Sequence, residues 1–168
     1  MGEKTVISLK ILEMNRFMGK LLKAENFDGF LMKEGFLRTN MEYRFQGQLF
    51  TEYFDTEEQA KLEEKYIYWG ELRSTVFELI KGKRTPLAFS FTLLLTKNDT
   101  AQLLARRSVQ VGEDSPSLFL QIRFEHGAGR MITGTARNTF TLDKALDEAW
   151  DEEVRMILKA MELAVEEE

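Results

Sequence analysis

Polar and apolar positions alternate along several stretches of the chain, and between them apolar residues recur every three or four positions. Near the N-terminus Thr5, Ile7, Leu9 and Ile11 fall on one side and Val6, Ser8 and Lys10 on the other, the period of a strand with one apolar face. Asn15 is placed to cap a short helix in which Phe17, Met18, Leu21 and Leu22 share a side. Residues 30–38 predict a second strand, Thr39-Asn40 a tight turn, and Tyr43, Phe45, Gly47 and Leu49 a returning strand. Asp55 followed by Glu58 has the form of a capping box. From there Leu62, Tyr66, Trp69, Leu72, Val76 and Ile80 step by three or four, which predicts one long helix closed by Lys81 and Gly82.

The same order then returns. Leu87, Phe89, Phe91, Leu93 and Leu95 predict a strand after Pro86, and Asp99 a cap for a short helix carrying Leu103 and Leu104. Leu118, Leu120, Ile122 and Phe124 alternate with Gln121, Arg123 and Glu125; residues 126–129 form a hairpin connection and residues 130–140 the return strand. Thr141 or Asp143 caps a final long helix with Leu146, Trp150, Val154, Ile157, Met161 and Val165 on its buried side. The expected fold is α+β. It is a single domain of two pseudo-repeats, β-α-β-β-α over 4–82 and again over 86–166, with six strands and four helices. An antiparallel sheet, or two, is covered on one face by the two long helices. The expected core includes Ile7, Leu9, Phe45, Leu62, Trp69, Phe89, Phe91, Leu120, Ile122, Trp150 and Ile157.

Composition removes chemistry and adds none. A chain of 168 residues buries enough surface to fold without a staple. Cysteine is absent, which excludes disulfides, iron–sulfur clusters, thiolate zinc sites and cysteine nucleophiles; a single histidine excludes two-histidine metal sites. No apolar run reaches the ~18–20 residues of a membrane span. The first residues lack a signal peptide's apolar core, and Val6 breaks the myristoylation pattern, so a cytoplasmic location with no membrane partner is expected. No cofactor is called for. The net charge of −5 hides an asymmetry: residues 143–168 carry ten acids against three bases, and residues 81–137 nine bases against four acids. Such a basic middle attracts phosphates, or is neutralised by the acidic tail within the fold.

Motifs of catalysis are missing or fragmentary. Gly82-Lys83-Arg84-Thr85 lacks the upstream glycine of a phosphate loop, since Phe77 stands there, and Gly127-Ala128-Gly129 leads into a strand rather than a helix. No Gly-x-Ser-x-Gly elbow occurs. His126 reads as an exposed turn residue, Glu52, Asp55, Glu57 and Glu58 as helix-start charges, and Glu166, Glu167 and Glu168 as a fraying solvated tail. Two features stand out. One is the cationic string Lys81-Gly82-Lys83-Arg84-Thr85-Pro86. The other is the basic side of both short helices, with Arg16, Lys20 and Lys23 on the first and Arg106 and Arg107 on the second. The candidate set for anion or nucleic-acid contact is therefore Arg16, Lys20, Lys23, Lys83, Arg84, Arg106 and Arg107.

The strand, short helix and strand pair that begin at Ile7, with similar spacing around Leu103-Leu104, 118–124 and 131–135, resemble the opening unit of bacterial DNA sliding clamps. Each half is one strand shorter than that unit and is followed by an extra long helix. The resemblance implies short helices that face DNA phosphates without reading bases, here through Arg16, Lys20, Lys23, Arg106 and Arg107. The two-fold pattern also resembles the TATA-binding fold. Over its whole length the chain resembles a family of uncharacterised bacterial proteins. The strings that carry this are Leu9-Lys10-Ile11-Leu12, Leu79-Ile80-Lys81-Gly82-Lys83-Arg84-Thr85-Pro86-Leu87 and Phe140-Thr141-Leu142-Asp143-Lys144. That family implies no activity, cofactor or catalytic residue.

Three classes of function follow. The first is a non-catalytic binding or scaffold domain that contacts nucleic-acid phosphates through the short basic helices or uses its exposed sheet face. The second is a protein-interaction or homodimerisation module presenting Trp69, Trp150, Tyr66 and Tyr68. The third is a small-molecule enzyme without histidine, cysteine or metal chemistry, built on Glu34, Glu42, Arg44 or Arg123. The first is the working expectation, with nucleic acid or another protein as partner and no enzymatic activity.

Overall fold

Eight strands form one antiparallel sheet in the computed structural model, which describes residues 2–139 and 141–168, with side chains from Ile7 onward. In chain order these are β1 (Gly2–Ile11), β2 (Leu31–Arg38), β3 (Glu42–Gln46), β4 (Ile67–Tyr68), β5 (Ala88–Leu94), β6 (Ser117–Glu125), β7 (Ala128–Arg137) and β8 (Val165–Glu167). The helices are α1 (Met14–Leu22), α2 (Thr56–Lys61), α3 (Trp69–Ile80), α4 (Lys97–Arg106) and α5 (Ala145–Ala160), with a 3₁₀ turn at Thr51–Tyr53. The strands lie in the order β3-β2-β5-β6-β7-β1-β8, and β4 pairs with the start of β2.

Alternation decides the two faces. Leu9, Met131, Ile122 and Phe91 point inward from neighbouring strands and are at most 1% exposed. They join one core with Phe17 and Leu21 of α1, Trp69 and Val76 of α3, Leu103 of α4, and Leu146, Trp150, Val154 and Leu158 of α5. Of the remaining expected core, Ile7, Phe45 and Ile157 pack at its margin. Leu62 is half-buried outside it. The register sets Lys10, Arg130, Arg123, Ser90, Phe36 and Arg44 in a row across six strands on the opposite, polar face.

The first half runs strand–helix–strand–strand–helix–strand–helix and the second strand–helix–strand–strand–helix–strand, and their strand partners differ. β5 lies beside β6 of its own half, whereas β1 lies beside β7 of the other. Two pairings, β1 with β7 and β2 with β5, tie both halves into one sheet.

Several expected elements are corrected. The long helix after Asp55 does not form. The capping box is present, with Glu58 N–H donating to Asp55 Oδ1 at 2.7 Å and Asp55 N–H to Glu58 Oε1 at 3.1 Å, but α2 stops after six residues. Leu62 turns extended, and the chain zips onto the β3 strand: Leu49 N–H donates to Lys65 O and Ile67 N–H to Gly47 O, both at 2.8 Å. Gly47 is required there, because a Cβ would collide with the carbonyl of Met32. The apolar spacing from Leu62 to Ile80 thus belongs to a loop, β4 and the 12-residue α3. Likewise α5 ends at Ala160, and Val165 with its glutamates forms β8 against β1 rather than a frayed tail. Glu167 accepts from Arg155 at 2.7 Å and Glu168 from Arg130 at 2.8 Å. Caps also shift: Thr96 rather than Asp99 caps α4, accepting from Asp99 N–H at 3.1 Å, and α1 begins at Met14 without a side-chain cap. The His126-Gly127 hairpin holds, with φ of 51° and 75°, the pair of positive values of a type I′ turn. Phe140, expected at the end of β7, lies outside the described residues.

Candidate functional site

The sequence places α1 and the 81–86 string about sixty residues apart; the fold brings them to one cavity. α1 is held by α3 through the carbonyls at its own C-terminal end. Trp69 Nε1 donates to Leu21 O at 2.8 Å, and Arg73 reaches Leu22 O at 3.4 Å while clamping Asp28 at 2.6 and 3.1 Å. These contacts satisfy carbonyls that a helix end leaves free. They also leave the cationic side of α1 outward.

The C-terminal end of α3 runs on into the string. Lys81 N–H donates to Phe77 O at 2.8 Å, Gly82 turns with φ of 135°, and Leu87 N–H returns the chain to the sheet on Arg38 O at 2.9 Å. Between α1, α3 and this loop is a cavity of about 500 Å³. Its floor and walls are apolar: Met14, Met18 and Leu22 from α1, Phe77 and Ile80 from α3, Phe89 and Phe124 from the sheet. Its rim is cationic, formed by Lys23, Lys81, Lys83 and Arg84, and among the described residues that line it none is acidic. Lys23 Nζ sits 5.4 Å from the ring centre of Phe77, a cation–π contact, and Lys81 pairs with Glu78 at 2.6 Å. Lys83 and Arg84 are exposed and have no ion-pair partner among the described residues. A second recess of about 490 Å³ lies across Pro86 from the first, lined by Arg38, His126 and Phe124 among others.

The candidate cations are thereby divided. Lys23, Lys83 and Arg84 surround the cavity. Lys20 and Arg16 continue up the same side of α1, and Arg16 reaches Glu162 at 3.4 Å. Arg106 and Arg107 do not line it. Both bind Glu153 of α5, at 3.2 and 3.2 Å. Burial pushes the Glu153 carboxyl up, but hydrogen bonds from Arg106 and Arg107 outweigh that and hold it below the ordinary range; Arg106 is raised in turn. The acidic terminal helix thus neutralises the second short helix.

Of the other expected surfaces, the aromatic one keeps only Tyr68, 38% exposed, and half-buried Tyr66, and the sheet-face arginines are already paired. Trp69 and Trp150 form no patch: both are fully buried, and Trp150 Nε1 donates to Phe119 O at 2.8 Å. On the open sheet face Arg44 binds Glu42 at 2.8 Å, Arg123 faces Glu125 at 3.7 Å and Arg130 binds Glu168. A hydrogen bond from Arg38 at 2.7 Å holds the Glu42 carboxyl below the ordinary carboxylate range. Glu34, Glu42, Arg44 and Arg123 are exposed on this face or at its edge.

One buried polar cluster is not among the sequence candidates. Asp147 and Asp151, one turn apart on α5, are each 5% exposed and meet Thr135 and Thr133 of β7. Thr133 Oγ1 donates to Asp151 Oδ1 at 2.8 Å and Thr135 Oγ1 to Asp147 Oδ1 at 2.6 Å. Burial raises the Asp151 carboxyl, against the opposing Thr133 hydrogen bond and Arg155 charge. The inward parity of Thr133 and Thr135 with Met131 is the signal that could have found them.

Among the described residues no helix is long and apolar enough to cross a membrane, and no group of three or more potential ligands could hold a metal ion. No curated protein and no solved structure is detectably similar to the chain. A family of unknown function (DUF5721) matches residues 20–166, and the chain belongs to that family.

Proposed function

We propose that the protein is a non-catalytic, cytoplasmic binding domain that contacts nucleic-acid phosphates through α1 and the 81–86 loop. The observation that carries this is the convergence of Lys23, Lys83 and Arg84 on one rim with no acid among them. Lys20 extends the surface, and Arg16 joins it on leaving Glu162. Arg106 and Arg107 contribute only on release from Glu153, so they form a secondary patch. The repeated element order supports reading 4–82 and 86–166 as two copies of one β-α-β-β-α unit, each presenting a short helix.

Fluorescence anisotropy with labelled duplex and single-stranded DNA tests the proposal. Three phosphate contacts give a slope of log K against log salt of about −2 to −3, and removing Lys83 or Arg84 reduces it by about 1 each. Arg106→Ala is expected to change the slope less. A flat titration at low salt overturns the proposal. A second reading, a protein-interaction module, rests on Phe50 and Tyr53, which are 62% and 87% exposed beside the 3₁₀ turn. Light scattering that shows a strict monomer, unchanged in a Phe50→Ser/Tyr53→Ser variant, removes its self-association form.

A further inference from the structure

We infer that the cavity between α1, α3 and the 81–86 loop is a site for one small amphipathic anion, an alkyl or aryl body carrying a phosphate or carboxylate. The inference shares its cations with the phosphate-contact reading but does not need the ligand to be nucleic acid.

Cations alone would suffice for a phosphate backbone, which lies on a surface and has no use for an apolar recess. Here the cations stand over one. Met14, Met18, Phe77, Ile80, Phe89 and Phe124 supply its walls and floor. The volume of about 500 Å³ falls within the ~300–1,000 Å³ of small-molecule sites, which combine apolar walls with a few fixed polar groups. Met14 and Met18 lie one turn apart on α1, and unbranched, polarisable thioethers adapt to a ligand's shape. Met14 is itself seated against the sheet: a Cβ on Gly129 would come within 2.5 Å of its sulfur.

The polar groups are arranged at the mouth. Lys23 is held over the Phe77 ring, which places its ammonium at the boundary between apolar wall and water. Lys81 is engaged by Glu78, and Gly82 with Pro86 shapes the loop, so Lys83 and Arg84 are the charges left for a head group. Arg84 offers a planar fork to an oxyanion and Lys83 a point charge, a combination suited to phosphate or carboxylate. An uncharged apolar molecule would leave these cations unanswered, and a bare anion would leave the floor in water.

The test is NMR of the full-length protein with ¹³C-methyl methionine, titrated with octyl phosphate, octanol and inorganic phosphate. Octyl phosphate is expected to shift the Met14 and Met18 methyls. Met41 and Met156, which are 55% and 56% exposed elsewhere, should stay fixed. A Lys83→Ala/Arg84→Ala variant should weaken octyl phosphate by about tenfold or more and leave octanol unchanged. Met18→Glu, on a half-buried face of α1, should abolish binding while circular dichroism reports an intact fold. Unmoved Met14 and Met18 methyls overturn the inference. So do shifts of equal size at Met41 and Met156, or equal affinity for octanol or for inorganic phosphate. Octyl phosphate binding with a flat DNA titration overturns only the nucleic-acid reading. Salt-dependent DNA binding that is insensitive to Met18→Glu, with no octyl phosphate binding, overturns only this one.

Discussion

Replacing Thr133 by valine keeps the shape of a buried strand residue and removes its hydroxyl. That hydroxyl joins three elements: on β7, it accepts from Ile7 N–H of β1 at 3.0 Å and donates to Asp151 of α5 at 2.8 Å. Thr133 is 0% and Asp151 5% exposed, so water does not replace the bond between them without rearrangement, while the Ile7 bond is part-buried. A hydrogen bond to a charged group contributes about 1.5–3 kcal/mol, and the half-buried Ile7 amide left without its acceptor costs about 1 kcal/mol. The expected loss is therefore about 2.5–4 kcal/mol, or roughly 5–16 °C in Tm for a domain of this size. The loss should also depend on pH. Burial raises the Asp151 carboxyl above its unfolded value, so its contribution is fully present below the unfolded pKa and is lost as pH rises through the folded one. The Thr133 bond opposes that rise, and Thr133→Val pushes the carboxyl further up. The gap between wild type and variant therefore widens from mildly acidic to neutral pH. Urea titrations followed by tryptophan fluorescence across that range measure it. Thr133→Ser should recover most of the loss, and Asp151→Asn should lack the Asp151 pH term. Coincident midpoints for wild type and Thr133→Val, or a gap that is constant with pH, would refute the reasoning.

Three further outcomes are expected. Asp114 accepts from Arg137 Nε at 2.8 Å, Asn138 N–H at 3.0 Å and Thr139 Oγ1 at 3.3 Å, and the Arg137 bond foremost holds its carboxyl low. A lowered folded pKa stabilises above the unfolded value and is lost as pH falls through the folded one, so Asp114→Asn should lower Tm at neutral pH and converge with wild type in acid; parallel melting curves contradict this. A Cβ at Gly134 would strike the Phe119 ring, so Gly134→Ala should cost about 1–3 kcal/mol, much of it recovered by Phe119→Leu in the same chain. Strict additivity in that double-mutant cycle counts against the clash. Ending the chain at Ala164 removes β8 and uncovers the edge of β1, which should speed amide exchange around Lys10 and promote association in sedimentation; unchanged exchange and a monomer would show that β8 does not protect that edge.

Local pattern made most strands legible. The two-residue alternation of residues 87–95 and 118–125 corresponds to β5 and β6, because one face of each is buried and the other is not. What failed was the period of three or four where tertiary pairing overrides it. Ile67 and Tyr68 lie inside the run from Leu62 to Ile80 that the stripe reads as one helix, but their backbones pair with Met32 and Leu31. Val165 fits the stripe of α5 and instead pairs with Ile11. Local pattern carries no information about such distant hydrogen-bond partners. The site was half legible. Its cations were marked by their strings, while the meeting of Met14 and Met18 with Phe77 and Phe124 depends on how α1 packs on α3.

Charge explains why those cations, rather than the others, define the site. The excess of acid in residues 143–168 does not lie in a diffuse tail. It is distributed to particular bases: Glu153 to Arg106 and Arg107, Glu162 to Arg16, Glu167 to Arg155, and Glu168 to Arg130. Each pair is worth little alone at the surface. Their joint effect is to remove basic charge from α4, from the sheet face and from the outer end of α1. In the α3–β5 loop Lys83 and Arg84 have no ion-pair partner among the described residues and stand next to an apolar recess. Among the described residues, Lys23, Lys83 and Arg84 therefore stand together beside a recess in which an apolar group can be buried, in a protein of net charge −5.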